Sequence, residues 1–273
     1  MAADQPERLR DLVDAGNALV LSGAGLSTES GIPDYRGPTG AARRHGPMTY
    51  QSFVGDPLAR HRYWARGYLG WRQISGARPN DGHRAVAELE RAGRVAGIIT
   101  QNVDGLHQAA GAHDVIELHG GLDRVVCLAC GVRESRWALD ERLHAANRDF
   151  RARAGAVNPD GDVELADGQL AGFRMVGCRV CASDLVKPDV VFFGENVPRD
   201  RVAACFALVE AADSLIVLGS SLTVMSGLRF VRKAAALGHP VAIVNQGPTR
   251  ADGLATVRLD RRLGEVLPQL VAG

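Results

Sequence analysis

Residues 18–37 read ALVLSGAGLSTESGIPDYRG, and this stretch decides the fold. Its apolar start, residues 18–21, is typical of a buried strand in a parallel sheet. Gly23 and Gly25 let the backbone turn tightly and approach a pyrophosphate, whose charge the N-terminus of a following helix would stabilise. Thr28 stands where the dinucleotide fingerprint has its third glycine, so an ordinary dehydrogenase is disfavoured.

The composition indicates a globular protein with a large core. The chain has 273 residues, 46% of them hydrophobic, which allows one large domain with an inserted module or two modest domains. A net charge of +1 gives no electrostatic support for a nucleic-acid partner or an anionic membrane. The first residues show no signal-peptide pattern, and no apolar run reaches membrane-spanning length, so we expect a cytoplasmic protein without a membrane partner. The oligomeric state stays open, and a monomer is compatible with the sequence.

Strand-like and helix-like segments alternate along the chain. Apolar runs predict strands at residues 18–22, 95–100, 214–219 and 240–245, and amphipathic patterns predict helices at residues 82–92, 201–212 and 227–237. This alternation predicts an α/β fold with a Rossmann-like, doubly wound parallel sheet. Because ligands bind beyond the carboxyl ends of such strands, we expect the polar residues that follow these strands to form one pocket.

Two segments interrupt this alternation. Residues 38–70 are rich in Arg, His and aromatic residues and predict a helical module, and residues 122–185 contain all the paired cysteines and predict an inserted zinc-binding module. We therefore expect a smaller lobe made of these two modules. The nucleotide-binding domain would comprise residues 1–37, 71–121 and 186–273.

Cys127, Cys130, Cys178 and Cys181 form two C-x-x-C motifs. Four thiolates at these spacings can complete a tetrahedral Zn²⁺ site, and loop-closure entropy grows slowly enough for the long intervening segment to be tolerated. Such a site has no open position, so the zinc would be structural. Two redox-active pairs or buried thiols are the alternatives. Cys205 stands alone in a helical pattern and is interpreted as a core residue.

A polar constellation follows the second predicted strand. Residues 100–107 read TQNVDGLH and residues 117–120 read ELHG. Asn102 and Asp104 can hydrogen-bond an amide or orient a water molecule, and a histidine suits general-base chemistry near neutral pH. His107 or His119 alone would more often be structural or exposed, but the neighbouring motifs favour a catalytic role for His119.

Together these motifs resemble the sirtuins, a family of NAD-dependent protein-lysine deacylases. The matching elements occur in family order and cover nearly the whole chain: residues 23–36, 100–107 and 118–120, both C-x-x-C motifs, residues 187–195 and 219–222, and Asn245. Residues 62–66, 158–162, 190–194 and 247–250 resemble the class II branch of the family, which includes a mitochondrial lipoamidase and ADP-ribosyltransferase. A bacterial member is expected.

The resemblance implies that NAD is consumed as a co-substrate and that one structural Zn²⁺ is bound. His119 would act as the general base on a ribose hydroxyl, with Asn102 and Asp104 at the nicotinamide, giving free lysine, nicotinamide and O-acyl-ADP-ribose. The residues implied in NAD binding are Gly23, Ala24, Gly25, Thr28, Asp34, Tyr35, Arg36, Gln101, Asn102, Val103, Asp104, Gly219, Ser220, Ser221, Asn245, Gln246, Gly247 and Leu263.

Acyl-lysine proteins or peptides are the partners that the resemblance implies. The substrate would lie extended beside residues 190–195 and pair with them as an added strand. The expected contacts are Val190, Val191, Phe192, Gly194 and Glu195. Tyr63 and Arg66 would share a helix face and could present a hydroxyl and a guanidinium to an acidic acyl group. The alternatives are a solvated helix face or packing within the helical lobe.

Two other functions remain open from the sequence. A protein mono-ADP-ribosyltransferase would use the same NAD pocket but would not make O-acyl-ADP-ribose. A non-catalytic zinc-ribbon and nucleotide-binding module is disfavoured by the near-zero net charge and by the polar constellation.

Overall fold

The computed structural model describes residues 5–35, 46–152, 155, 158, 161–163, 165, 167–170 and 172–272. The α-helices are α1 (Gln5–Asp14), α2 (Tyr50–Gly55), α3 (Pro57–Ser75), α4 (Asp81–Arg91), α5 (Leu106–Ala109), α6 (Arg136–Ala146), α7 (Arg199–Ala211), α8 (Met225–Ala236) and α9 (Leu263–Val271). The strands are β1 (Ala18–Ser22), β2 (Val95–Thr100), β3 (Val115–Glu117), β4 (Gly120–Cys127), β5 (Arg133–Ser135), β6 (Val186–Val190), β7 (Ser214–Leu218), β8 (Val241–Val244) and β9 (Val257–Leu259).

The larger sheet has six parallel strands in the order β3-β2-β1-β7-β8-β9. Every residue of β1 is buried, and its side chains alternate between two cores. Ala18 and Val20 pack in a cluster with residues of α1, α4 and α9, whereas Leu19 and Leu21 pack in a cluster with residues of α7 and α8. The predicted doubly wound parallel sheet is therefore confirmed.

The glycine turn after β1 differs from the expected strand-to-helix turn. Two short 3₁₀ helices, Ala24–Leu26 and Thr28–Ser30, follow the strand, and the expected α-helix does not form in this part of the described chain. Thr28 Oγ1 donates a hydrogen bond to the Gly25 carbonyl at 3.0 Å. Gly31 then adopts a left-handed φ of 81°, and Pro33 follows it. These residues favour turns over a continuous helix, so the described segment after β1 does not begin a long helix whose dipole could face the expected pyrophosphate position.

The smaller lobe contains an antiparallel sheet in the order β5-β4-β6, packed with α2, α3 and α6. Asp56 caps α3 by accepting a hydrogen bond from the Leu58 amide at 2.8 Å. Trp64, which is 1% exposed, fixes α3 on the sheet because its Nε1 donates to the Val186 carbonyl at 2.8 Å. Helix α3 continues past the boundary expected after residue 70, and β4 continues past the boundary expected after residue 121. The domain boundaries themselves remain a prediction. Within the described ranges, no helix is both long enough and apolar enough to cross a membrane.

Two histidines are buried together beneath β1 and β2. The His83 and His107 rings lie 5.3 Å apart, and His107 Nε2 lies 2.8 Å from the Ser22 hydroxyl. Burial lowers the pKa of His83 to about 4, helped by the charge of Arg84, and lowers the pKa of His107 to about 3, helped by His83. Both rings are therefore neutral in the folded protein near pH 7.

We expect the free energy of unfolding to fall as the pH drops below about 6.5, where unfolded histidines begin to bind protons. The folded state does not bind these protons until the pH reaches about 4 for His83 and about 3 for His107. Between pH 7.5 and 4.5 the two residues should together remove roughly 3–5 kcal/mol of stability. Urea unfolding at the two pH values measures this loss, and the His107→Gln variant should show a smaller loss. If His107→Gln lost as much stability as the wild type, the lowered pKa of His107 would be contradicted.

Candidate active site

A cavity of about 920 Å³ lies between the two lobes, at the carboxyl ends of β1, β2, β7 and β8. The described residues of the expected NAD site all line it, as do His119 and the expected lysine contacts of residues 190–195. Arg36 lies outside the described residues. The structure thus brings the predicted strand-end motifs together in one cavity, where parallel sheets commonly bind ligands.

The glycine turn lies directly against the loop after β7. The Gly25 amide donates to the Gly219 carbonyl at 2.8 Å, and Gly219 has a left-handed φ of 61°. A Cβ atom at Gly25 would lie 2.9 Å from the Gly219 Cα, and one at Gly219 would lie 2.5 Å from the Leu26 nitrogen. These glycines are therefore required by the close approach of two backbone segments at the cavity wall.

Hydrogen bonds fix the polar floor of the cavity. Asn102 Nδ2 donates to the Gly23 carbonyl at 3.0 Å and to the Ser27 hydroxyl at 3.1 Å. Ser27 Oγ in turn donates to Asp104 Oδ2 at 2.6 Å, and the Leu106 amide donates to Asp104 Oδ1 at 2.9 Å. Burial raises the pKa of Asp104, whereas the hydrogen bonds from Ser27 and Leu106 lower it. The net result is a raised pKa. Hydrogen bonds within the protein therefore fix the orientation of these floor side chains.

His119 lines the cavity as a neutral base. Its Nδ1 lies 2.9 Å from the Gln101 carbonyl, which can only accept, so Nδ1 carries the proton and Nε2 carries the free lone pair. Nε2 lies 2.8 Å from the Ser226 hydroxyl. Burial lowers the pKa of His119, and Arg201 and Arg229 lower it further, against the effect of the Gln101 bond. His119 can therefore accept a proton at neutral pH.

The segment after β6 forms a wall of the cavity between the lobes. The Val191 amide donates to the His119 carbonyl at 2.8 Å, and the Phe192 amide donates to Glu195 Oε2 at 2.8 Å. Glu195 also pairs at 3.2 Å with Lys187, which is 3% exposed on its side chain. The Tyr50 amide donates to the Phe193 carbonyl at 2.9 Å, so α2 supports this wall from the small lobe.

The four paired cysteines meet in the small lobe, away from the cavity. The sulfur of Cys127 lies 3.6 Å from that of Cys181, the sulfur of Cys130 lies 3.7 Å from that of Cys178, and all four lie within 4.8 Å of one another. A tetrahedral zinc with Zn–S bonds of about 2.3 Å needs sulfurs about 3.8 Å apart, so these residues fit the metal.

Comparison with known proteins agrees with the motifs and their arrangement. The sequence model of the Sir2 family matches residues 23–226, which is more than half of the chain. The chain belongs to the Sir2 family. The sirtuin sequence is 61% identical to NAD-dependent protein deacetylase 1 of Streptomyces coelicolor, over 94% of this chain and 86% of that protein. It is 53% identical to NAD-dependent protein deacetylase 1 of Mycobacterium avium, over 98% and 95% of the two chains.

Solved structures agree with the fold of this sirtuin. A Sir2–p53 peptide–NAD⁺ structure matches it with a TM-score of 0.79 at 30% identity, over 97% of each chain. A Sir2 structure from a study of mechanism and regulation matches with a TM-score of 0.78 at 33% identity, over 98% and 97% of the two chains. The sirtuin family and its Rossmann-like fold with a smaller, cysteine-containing lobe are thus confirmed. The class II assignment stays a prediction.

Some candidate residues from the sequence line the cavity, and others are buried away from it. His107 is 1% exposed and is not among the described residues that line the cavity, so of these two histidines it is His119 that lies at the cavity. Tyr63 is also buried and lies behind Phe192, with 5.3 Å between the ring centroids. Neither Tyr63 nor Arg66 is among the described lining residues. This placement favours the packing interpretation of the Tyr63 and Arg66 pair.

Two serines of the site were not identified from the sequence of this sirtuin. Ser27 connects Asn102 to Asp104, and Ser226 contacts His119 across the cavity. Ser27 lies inside the glycine-turn motif, so its position in that motif could have identified it as a site residue. Ser226 lies in α8, where the sequence shows no distinctive motif. Its contact with His119 forms only when the segment that contains His119 packs against this helix.

Proposed function

We propose that this sirtuin is an NAD-dependent protein-lysine deacylase that transfers the acyl group to ADP-ribose. The observation that carries the proposal is the position of His119, a neutral base in the same cavity as the Asn102 and Asp104 floor and the wall of residues 190–195. The names of the Streptomyces coelicolor and Mycobacterium avium relatives support the same activity.

NAD would occupy the cavity across the carboxyl ends of the parallel strands. The backbone around Gly23 and Gly25 would approach its phosphates, and the loops beginning at Gly219 and Asn245 would contact the adenosine half. Asn102 and Asp104 would lie at the nicotinamide, and hydrogen bonds within the protein fix the orientation of the Asn102 amide and the Asp104 carboxylate. Preorganised polar groups of this kind bind a ligand without a large ordering cost.

In the reaction, nicotinamide would leave the ribose as the acyl oxygen of the modified lysine bonds to the ribose carbon. His119 would then take the proton of a ribose hydroxyl, whose oxygen attacks the acyl carbon. After water releases the lysine amine, the products are free lysine, nicotinamide and O-acyl-ADP-ribose. General-base assistance by a positioned histidine contributes roughly 10²–10⁴ in rate.

We propose that the acyl group lies on the small-lobe side of the cavity, where the described lining residues include an apolar group, and that the site accepts uncharged acyl groups, from acetyl to longer chains. Ile32, Leu122, Val190 and Phe192 line the cavity and belong to one apolar cluster of the small lobe. An acidic acyl group would be desolvated there, and such burial is costly unless a cation pairs with it. Arg66 is not among the described lining residues, so it is a poor candidate for that cation.

A competition among acyl-lysine peptides tests this preference. The protein is incubated with NAD and an equimolar mixture of acetyl, lipoyl, long-chain, succinyl and glutaryl peptides of one sequence, and all products are followed by mass spectrometry. We expect the uncharged acyl groups to be removed at least about tenfold faster than the acidic ones, with matching O-acyl-ADP-ribose. Faster removal of succinyl or glutaryl would overturn the apolar assignment. ADP-ribose attached to protein, without any O-acyl-ADP-ribose, would favour the transferase alternative.

A further inference from the structure

Ser226 lies in the first turn of α8, and its hydroxyl contacts the base of the active site. Ser226 Oγ lies 2.8 Å from His119 Nε2, although the two residues are far apart in the sequence. Within the described residues, no side chain caps the amide groups at the start of α8, so Ser226 does not act as a helix cap. Both Ser226 and His119 line the cavity. The contact is therefore made inside the reaction site.

The hydrogen bond between these residues has one possible direction while His119 is neutral. Nδ1 donates its only proton to the Gln101 carbonyl at 2.9 Å, so Nε2 must accept. The Ser226 hydroxyl therefore donates to the Nε2 lone pair. This is the same lone pair that the proposed function requires for removing a proton from the ribose.

We propose that Ser226 is a positioning residue that holds the Nε2 lone pair of His119 toward the cavity until the ribose hydroxyl replaces it as the donor. The proposal rests on the proposed function, because it assigns a role in that reaction. The Gln101 carbonyl and the Ser226 hydroxyl restrain the two nitrogens of the ring from opposite sides. Without Ser226, one of these two restraints is lost.

We expect the same bond to affect the basicity of His119, because the hydroxyl donates to the neutral ring. A donor to the unprotonated nitrogen stabilises the neutral ring and lowers its pKa. The charged groups facing His119 are Arg201, whose guanidinium donates to the Leu118 carbonyl at 3.3 Å, and Arg229, which lies one turn beyond Ser226 on α8. Both act in the same direction as Ser226 and would remain in a Ser226 variant. The change on removing the hydroxyl should therefore be a partial one.

The test compares wild-type protein with Ser226→Ala, Ser226→Cys and Ser226→Thr. The pKa of His119 is measured by NMR titration of the ring, and kcat/KM is measured against pH with NAD and an acetyl-lysine peptide. In Ser226→Ala we expect the His119 pKa and the acid limb of kcat/KM to rise together by about 0.5–1 pH unit. The plateau of kcat/KM should fall about three- to tenfold because the ring loses one restraint.

The other variants distinguish the effect of the hydroxyl group from the effect of side-chain size. Ser226→Cys keeps nearly the same size but donates weakly, so it should resemble Ser226→Ala, and Ser226→Thr keeps the hydroxyl and should restore the wild-type pKa. Ser75→Ala, at the end of α3 in the small lobe, removes a hydroxyl away from the cavity and should change neither quantity.

An unchanged His119 pKa in both Ser226→Ala and Ser226→Cys would overturn the proposal, since each variant removes or weakens the donor. This titration needs no turnover, so it still tests the contact between Ser226 and His119 if the wild-type protein makes no O-acyl-ADP-ribose. In that case the proposed function fails by itself, and the role of Ser226 in the reaction fails with it. A shifted pKa would then establish the contact only.

Discussion

His119→Ala should abolish O-acyl-ADP-ribose formation while leaving the fold intact. The substitution removes the Nε2 lone pair that would accept the ribose proton in the proposed reaction, so kcat/KM should fall at least about 10²-fold. The fold should persist because the half-buried side chain bonds only to the Gln101 carbonyl and the Ser226 hydroxyl in the described structure. Product formation is measured by mass spectrometry, and the melting temperature is measured in parallel.

Two further histidine variants serve as controls for this loss. His113 is exposed on the loop before β3, so His113→Ala should keep both activity and stability. His107→Ala should instead lower the melting temperature, because it removes a buried ring that contacts Ser22. Activity of His119→Ala within about tenfold of wild type would exclude His119 as the general base.

Cys178→Ser should release the zinc and unfold the small lobe. Structural zinc supplies roughly 10–16 kcal/mol in small zinc-finger peptides, and that free energy is coupled to folding. Here the metal would tie the β4–β5 hairpin, through Cys127 and Cys130, to the segment before β6. We expect about one zinc per chain in the wild type, none in the variant, and a much lower melting temperature.

Cys205→Ala is the matched control for the loss of a cysteine. Cys205 is fully buried against α8 and the large sheet, outside the four-cysteine cluster, so its removal should leave the zinc content unchanged. Metal content is measured by atomic emission and stability by calorimetry. Full zinc content and wild-type stability in Cys178→Ser would show that these sulfurs do not hold a structural metal.

The large sheet was predictable because its inner strands are continuous apolar runs. The runs at Ala18–Ser22 and Val95–Thr100 coincide with β1 and β2, since strands covered on both faces have little polar alternation. The edge strands Val115–Glu117 and Val257–Leu259 were missed because three residues show no period. Their pairing is set by the neighbouring strand and not by their own sequence.

The small sheet could not be predicted from local patterns. Strand β6 contains Lys187, Pro188 and Asp189, residues that normally argue against a strand. Pro188 is tolerated on this edge strand, and the buried Lys187 is stabilised by its ion pair with Glu195 at 3.2 Å. Glu195 lies in the segment after β6, so the propensities of the strand residues alone do not reveal this stabilising ion pair.

The residues of the candidate site that could be found from the sequence belong to motifs at the ends of strands. Asn102, Asp104 and His119 fall in such motifs, and the structure places them around one cavity. Ser226 was missed because only the packing of α8 against the loop before β4 brings it to His119. The position of Tyr63 was equally unpredictable, since helical spacing does not tell whether a face packs inward or lines a cavity.

The most direct test of the account is the product balance of one reaction. Wild-type protein is incubated with NAD and an acetyl-lysine peptide, and nicotinamide, free-lysine peptide and O-acetyl-ADP-ribose are quantified by mass spectrometry. We expect the three products to form in equal amounts. Free acetate released while NAD stays intact, or NAD consumed while the peptide keeps its acetyl group, would contradict it.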